Sequence, residues 1–99
     1  MRPINIVYED NYDSVDIVLV PEHIANSIGS VVQEFFCWLL VTENNKRFMI
    51  PHDKWGEVLA IGANEFVWWL NNIKTHDEEK ASIVQQHTSF VEEYPTAEF

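Results

Sequence analysis

From Ile24 to Val41 the chain reads I-A-N-S-I-G-S-V-V-Q-E-F-F-C-W-L-L-V, with apolar side chains at 24, 28, 31, 32, 35, 36, 39 and 40. Gaps of three and four place these side chains on one face of an α-helix. The spacing predicts a helix from Glu22 to about Val41, ~30 Å long at 1.5 Å per residue. Pro21, immediately before it, suits a helical first turn. Gly29, Val31 and Val32 are mediocre helix formers, so packing against other elements must hold this segment. A rival reading folds Phe35–Thr42 and Arg47–Ile50 into a hairpin about Asn44-Asn45, because aromatic and branched residues favour strands. The helical spacing outweighs it.

Outward from this helix the pattern changes to strands. Ile4–Tyr8 (I-N-I-V-Y) and Val15–Val20 (V-D-I-V-L-V) are β-branched, and the polar stretch Glu9–Ser14 between them reads as a loop. On the C-terminal side, Glu43–Lys46 reads as a loop. Arg47–Ile50 reads as a short strand stopped by Pro51, and Glu57–Ile61 as its partner. Asn64 is the expected N-cap of a second helix whose stripe is Phe66, Val67, Trp69, Leu70 and Ile73. Ala81–Gln86 can be strand or weak helix, with strand preferred. Ser89–Phe99, with Pro95, is expected to be extended with one short strand. The sum is an α+β fold in one domain, residues 1–99: a sheet of four to six strands with two main helices on one face.

Composition supports one folded unit. With 46% hydrophobic and 13% aromatic residues, the chain carries far more apolar matter than a disordered segment. Cys37 is the single cysteine, so no internal disulfide forms, and its F-F-C-W-L-L setting reads as a buried small residue. The opening Met1-Arg2-Pro3-Ile4-Asn5 soon meets Glu9 and Asp10, which is not the layout of a secretory signal. The apolar run Phe35–Val41 falls far short of the ~20 residues a membrane span needs. A cytoplasmic protein without membrane contact is the expectation.

Charge narrows the function. Six Lys+Arg stand against sixteen Asp+Glu, a net −10 on 99 residues. Such a chain repels nucleic acid and attracts basic proteins. Catalytic and cofactor patterns are missing. The histidines at 23, 52, 76 and 87 form no metal-ligand spacing, and a second cysteine to complete a zinc set does not exist. Only Gly29, Gly56 and Gly62 are available, so neither a dinucleotide fingerprint nor a phosphate loop can be written. Carboxylate pairs are too numerous to single out one acid/base couple. The expectation is a non-enzyme without cofactor or metal.

The candidate partner contacts are the acids and tyrosines of three segments. The first holds Glu9, Asp10, Tyr12, Asp13 and Asp16; the second Asp77, Glu78 and Glu79; the third Glu92, Glu93 and Tyr94. Carboxylates can occupy phosphate positions of a basic site while phenol rings fill base-sized pockets. Trp55 and Tyr8 also fall in or beside loops. Trp38 lies off the main stripe, and neighbouring Trp68 and Trp69 cannot both face one core. Exposed rings among acids resemble interface hot spots.

A short acidic chain with a lone cysteine and aromatics among loop carboxylates resembles bacterial immunity proteins, including those of nuclease colicins, of contact-dependent growth inhibition systems and barstar-like ribonuclease inhibitors. Gln33–Leu39 (Q-E-F-F-C-W-L), Asn64–Asn71 (N-E-F-V-W-W-L-N) and Glu93–Phe99 (E-Y-P-T-A-E-F) share the character of such proteins. The resemblance implies neutralisation of a cationic toxin domain, a nuclease by preference, as the partner. Two alternatives stay open: an acidic anti-defence inhibitor that mimics DNA, and a small-ligand-binding domain or enzyme whose pocket is invisible in sequence.

Overall fold

A computed structural model describes residues 1–77 and 79–99; Glu78, one of the candidate contacts, lies outside the described residues. Among the described residues, six strands and two main helices form an α+β domain. The strands are β1 (Arg2–Tyr8), β2 (Asn11–Val20), β3 (Met49–His52), β4 (Gly56–Leu59), β5 (Ser82–Thr88) and β6 (Thr96–Glu98). Four make one mixed sheet in the order β5-β2-β1-β6, with β1 and β6 parallel and the other pairs antiparallel. β3 and β4 form a separate hairpin.

The β1–β2 turn is tighter than the polar sequence suggests. Tyr8 pairs with Asn11, leaving only Glu9 and Asp10 between the strands, with φ of 49° and 58°. Left-handed φ at both central residues belongs to the two-residue hairpin turn whose twist matches the strands. The expected loop at 9–14 is therefore mostly strand. Asn11, Tyr12 and Asp13 are exposed, so this end of the hairpin shows no apolar alternation to read.

Beyond Pro21 the expected single helix is two: α1 (Glu22–Asn26) and α2 (Ile28–Leu39). Ser27 breaks them, with φ −124° and ψ 29°. The hairpin alternative for 35–42 is not formed. Asn44 and Asn45 make no hairpin turn; their side-chain amides donate to the carbonyls of Trp38 and Leu39 at 2.8 and 2.9 Å. They satisfy the orphan acceptors at the end of α2. Both lie in a one-turn helix, α3 (Thr42–Asn45), followed by a 3₁₀ turn at Lys46–Phe48. Pro51, expected to stop β3, lies within it.

The second main helix is α4 (Ala63–Trp69), continued by a π-helical turn, Leu70–Lys74. Its N-cap is Gly62, not Asn64. The Ala63 N–H, an orphan donor of the first turn, donates to the Tyr8 hydroxyl at 2.8 Å. Phe66, Trp69 and Leu70 are buried, but the wider π turn carries Ile73 off the stripe into solvent. The indole N–H of buried Trp69 has no acceptor among the described residues. Asn71 then brackets the entry to β5, donating to the Ala81 carbonyl at 2.9 Å and accepting from its N–H at 2.7 Å.

The sheet has two covered faces. On one, Ile4, Ile6, Val18 and Val20 pack against Ile24, Val31, Phe35 and Leu39 from α1 and α2 and against Phe66, Trp69 and Leu70 from the α4 segment. On the other, Val7, Val15 and Ile17 pack against Phe90, Val91 and Tyr94 from the β5–β6 connection. Asn5, fully buried on this second face, ties the connection down. Its side-chain amide donates to the Val91 carbonyl at 2.8 Å, and its oxygen accepts from the Val91 N–H at 3.0 Å.

Candidate functional site

The structure sorts the candidate contacts into groups that the sequence could not separate. Glu9 and Asp10 occupy the exposed tip of the β1–β2 hairpin, with Asp13 exposed two residues into β2. Tyr12 donates a hydrogen bond to Glu98 and sets its ring edge-on to Phe90, 5.0 Å between centroids. That bond, with weaker contributions from limited burial and the Glu98 and Asp10 charges, raises the Tyr12 hydroxyl pKa above its ordinary value. Glu98, which the sequence reading left out of the site, reaches the tip because β6 runs parallel to β1 and pairs Glu98 with Val7. Glu92 and Glu93 are exposed on the connection between β5 and β6.

Three placements set candidates apart from the tip. Asp16 lies inside β2, within the stretch 15–20 read as strand, and is 6% exposed and engaged internally. Its carboxylate accepts from the Tyr8 hydroxyl at 2.7 Å and from the His87 N–H at 3.1 Å. The Tyr94 ring packs on the second core instead of standing free. Asp77 and Glu79 precede β5, whose first residue, Ser82, pairs with Leu19. The hairpin tip lies beyond Asn11, so the start of β5, which this pair precedes, is at the opposite end of the sheet, ~26 Å along β2 from Asn11 at 3.3 Å per strand residue.

Tyr8 links the tip to α4. Its hydroxyl receives the Ala63 N–H and donates to Asp16, joining β1, β2 and the start of the helix. Burial, and then the bond and charge of Asp16, raise its pKa well above the usual tyrosine value. A raised folded-state pKa means that the stabilisation is complete below the unfolded value, about 10, and is lost as pH rises above it. Tyr8→Phe should therefore cost about 1–3 kcal/mol at neutral pH through the lost hydrogen bonds. Its deficit against the native chain should narrow above a pH of about 10, because only the native chain must keep a half-buried phenol neutral. Urea midpoints at neutral and alkaline pH measure both; a deficit that widened with pH would contradict the buried Tyr8–Asp16 bond.

Positive charges are largely spoken for within the fold. Lys74 pairs with Glu34 at 2.8 Å, Arg2 with Glu22 at 3.6 Å, and Arg47 lies over the Trp68 ring, 3.9 Å from its centroid. Lys80 donates to the carbonyls of Asn71 and His76. Among the described residues, Glu9, Asp10, Asp13, Glu92 and Glu93 take part in no ion pair. The acids of the hairpin tip and of the β5–β6 connection are thus uncompensated. Trp38 and Trp68 are partly buried against the core, 6.2 Å apart between centroids, and so are not free rings.

The feature that sequence reasoning missed lies along α2. Phe36 and Leu40, assigned to the core stripe, are 37% and 82% exposed, and Val41 is 54% exposed. Cys37, expected to be buried, is exposed as a free thiol. Phe36 lines three adjoining depressions, of which the largest, about 390 Å³, is also walled by Cys37, Leu40, Leu59 and Ile61. The sign in the sequence was the breadth of the stripe. Eight apolar positions cover more of a helix than one sheet face can bury, and 36 and 40 form one margin.

No group of three or more His, Cys, Asp or Glu side chains that could hold a metal gathers among the described residues. No helix among them is long and apolar enough to cross a membrane. Compared with protein-family models, curated proteins and solved structures, the chain matches none.

Proposed function

We propose that this chain acts by binding, as an immunity protein that neutralises a cationic bacterial toxin domain in the cytoplasm, with a nuclease as the preferred target. One observation carries the reading: the hairpin tip presents Glu9, Asp10 and Asp13 beside Glu98, and among the described residues no cation pairs with Glu9, Asp10 or Asp13. Uncompensated acids lower folded stability by mutual repulsion, and what they supply in return is attraction for a basic surface. A nuclease domain is basic because it must hold phosphate, so it complements this tip. The grouping of acids at two ends of the sheet favours a compact protein partner over mimicry of a regularly charged duplex.

The direct test expresses the chain with its neighbouring reading frames and asks whether one of them kills alone and is harmless in its presence. With that toxin in hand, the combined reversal Glu9→Lys, Asp10→Lys and Asp13→Lys should lower the association rate about 10- to 100-fold at low salt. The loss should shrink as salt rises. The same reversal at Asp77 and Glu79, on the far end, should change it far less. Stopped-flow association at two salt concentrations decides; equal effects at both ends would remove the tip from the proposal.

A further inference from the structure

We infer that the depressions around Phe36 form one docking groove that takes adjacent aliphatic side chains from a basic segment of a protein partner. This deepens the binding function proposed above and rests on it. The groove runs along the outer margin of α2, between the helix, the β4 edge and the C-terminal residue. Its walls are Phe36, Leu40, Leu59, Ile61 and Phe99, with Cys37 at the rim. Leu40 at 82% and Val41 at 54% exposure, together with half-exposed Leu59 and Ile50, make an apolar surface of a kind that soluble chains keep for a partner.

The charge of the rim selects the occupant. Among the described residues, the charged ones lining the three depressions are Glu9 and Glu98, with neither a lysine nor an arginine. A second copy of this chain would bring another net charge of −10 against that rim. A segment with leucine-like side chains flanked by lysine or arginine satisfies both floor and rim. It also explains why the acidic tip sits where it does. Attraction to Glu9 and Glu98 brings the segment in, and burial of its aliphatic side chains against Phe36 and Leu40 slows its departure.

The single thiol supplies the measurement. Cys37 is free, exposed and at the groove wall, so the rate of its alkylation by uncharged iodoacetamide reports occupancy. The probe is a synthetic amphipathic peptide of repeated Leu-Lys-Lys-Leu-Leu-Lys-Leu, with the matching glutamate–leucine peptide as control. The lysine peptide should slow alkylation several-fold and the glutamate peptide should leave it unchanged. Leu40→Ser with Val41→Ser, both at exposed positions that the fold does not need, should weaken the lysine peptide about tenfold or more, as expected for one lost buried aliphatic contact. Glu9→Gln with Glu98→Gln should weaken it mainly at low salt. Equal protection by both peptides, or protection indifferent to Leu40 and Val41, overturns the groove. Its failure is separable from that of the proposed function. If the peptide shields Cys37 and no toxin is neutralised, the groove stands and the immunity reading falls. If a toxin is neutralised equally well by the Leu40→Ser, Val41→Ser variant, the groove falls and the immunity reading stands.

Discussion

Phe35→Ala should lower the stability of the fold by about 3–5 kcal/mol, the loss seen when a large buried ring is removed and its cavity persists. Phe35 is fully buried. Its ring meets Trp69 at 5.2 Å, Phe66 at 5.3 Å and Phe99 at 6.1 Å between centroids, so it joins α2 to α4 and to the C-terminal residue. These neighbours are large, stiff rings held by their own backbones, and they cannot close onto an alanine. For a domain whose whole stability is roughly 5–15 kcal/mol, this removes a large part of the total. Phe36→Ala, one residue along and 37% exposed, should cost much less, because less apolar area leaves water when Phe36 folds. Guanidinium unfolding followed by tryptophan fluorescence compares the two. Losses of similar size would show that the two faces of α2 are not divided between core and groove as described.

That contrast bears on what could be read before the structure. The apolar runs 4–8 and 15–20 identify β1 and β2, because both faces of these strands are buried, and the spacing of 28–39 identifies α2, because that helix buries one face. They fail where the element ends are held by particular side chains. Asn44 and Asn45 look like turn residues, and only their contacts with the Trp38 and Leu39 carbonyls reveal them as the cap of α2. The π turn that exposes Ile73 leaves no mark in a 3.6-residue pattern. At the candidate site the acids of the tip were legible from clustering alone, but their grouping was not. Glu98 joins Glu9 and Tyr12 only through the parallel pairing of β6 with β1, and Asp77 separates from them through the antiparallel run of β5. Asp16 shows the same limit from the other side. An aspartate between valine and isoleucine reads equally as a solvent-facing strand residue or a buried acceptor, and its partners Tyr8 and His87 decide.

Asn5→Ala should cost about 2–4 kcal/mol, out of proportion to the few atoms removed, because the side chain is fully buried and the groups it leaves behind are partly so. In the strand I-N-I-V-Y an asparagine suggests a polar outer face, yet Asn5 is fully buried. Its backbone N–H donates to the Pro95 carbonyl at 2.9 Å, and its side chain meets both the N–H and the carbonyl of Val91. These bonds span most of the chain in sequence and press Phe90, Val91 and Tyr94 onto the second face of the sheet. Without them the Val91 peptide groups lose partners that water cannot easily replace, and the connection bearing Glu92 and Glu93 should loosen. Asn5→Asp separates the donor from the acceptor. The new carboxylate could still accept from the Val91 N–H, but it would face the Val91 and Tyr94 carbonyls, now without the amide donor. Burial and these oxygens would raise its folded-state pKa above the unfolded value of about 3.9, so the stability of this variant should be greatest below that pH and fall as pH rises. Urea midpoints at acid and neutral pH, each referred to the native chain, test this, together with hydrogen exchange at Val91. If Asn5→Asp were no worse at neutral than at acid pH, the amide donor would not be what holds the connection. If exchange at Val91 stayed slow in Asn5→Ala, the acids at 92 and 93 would be positioned by ring packing alone.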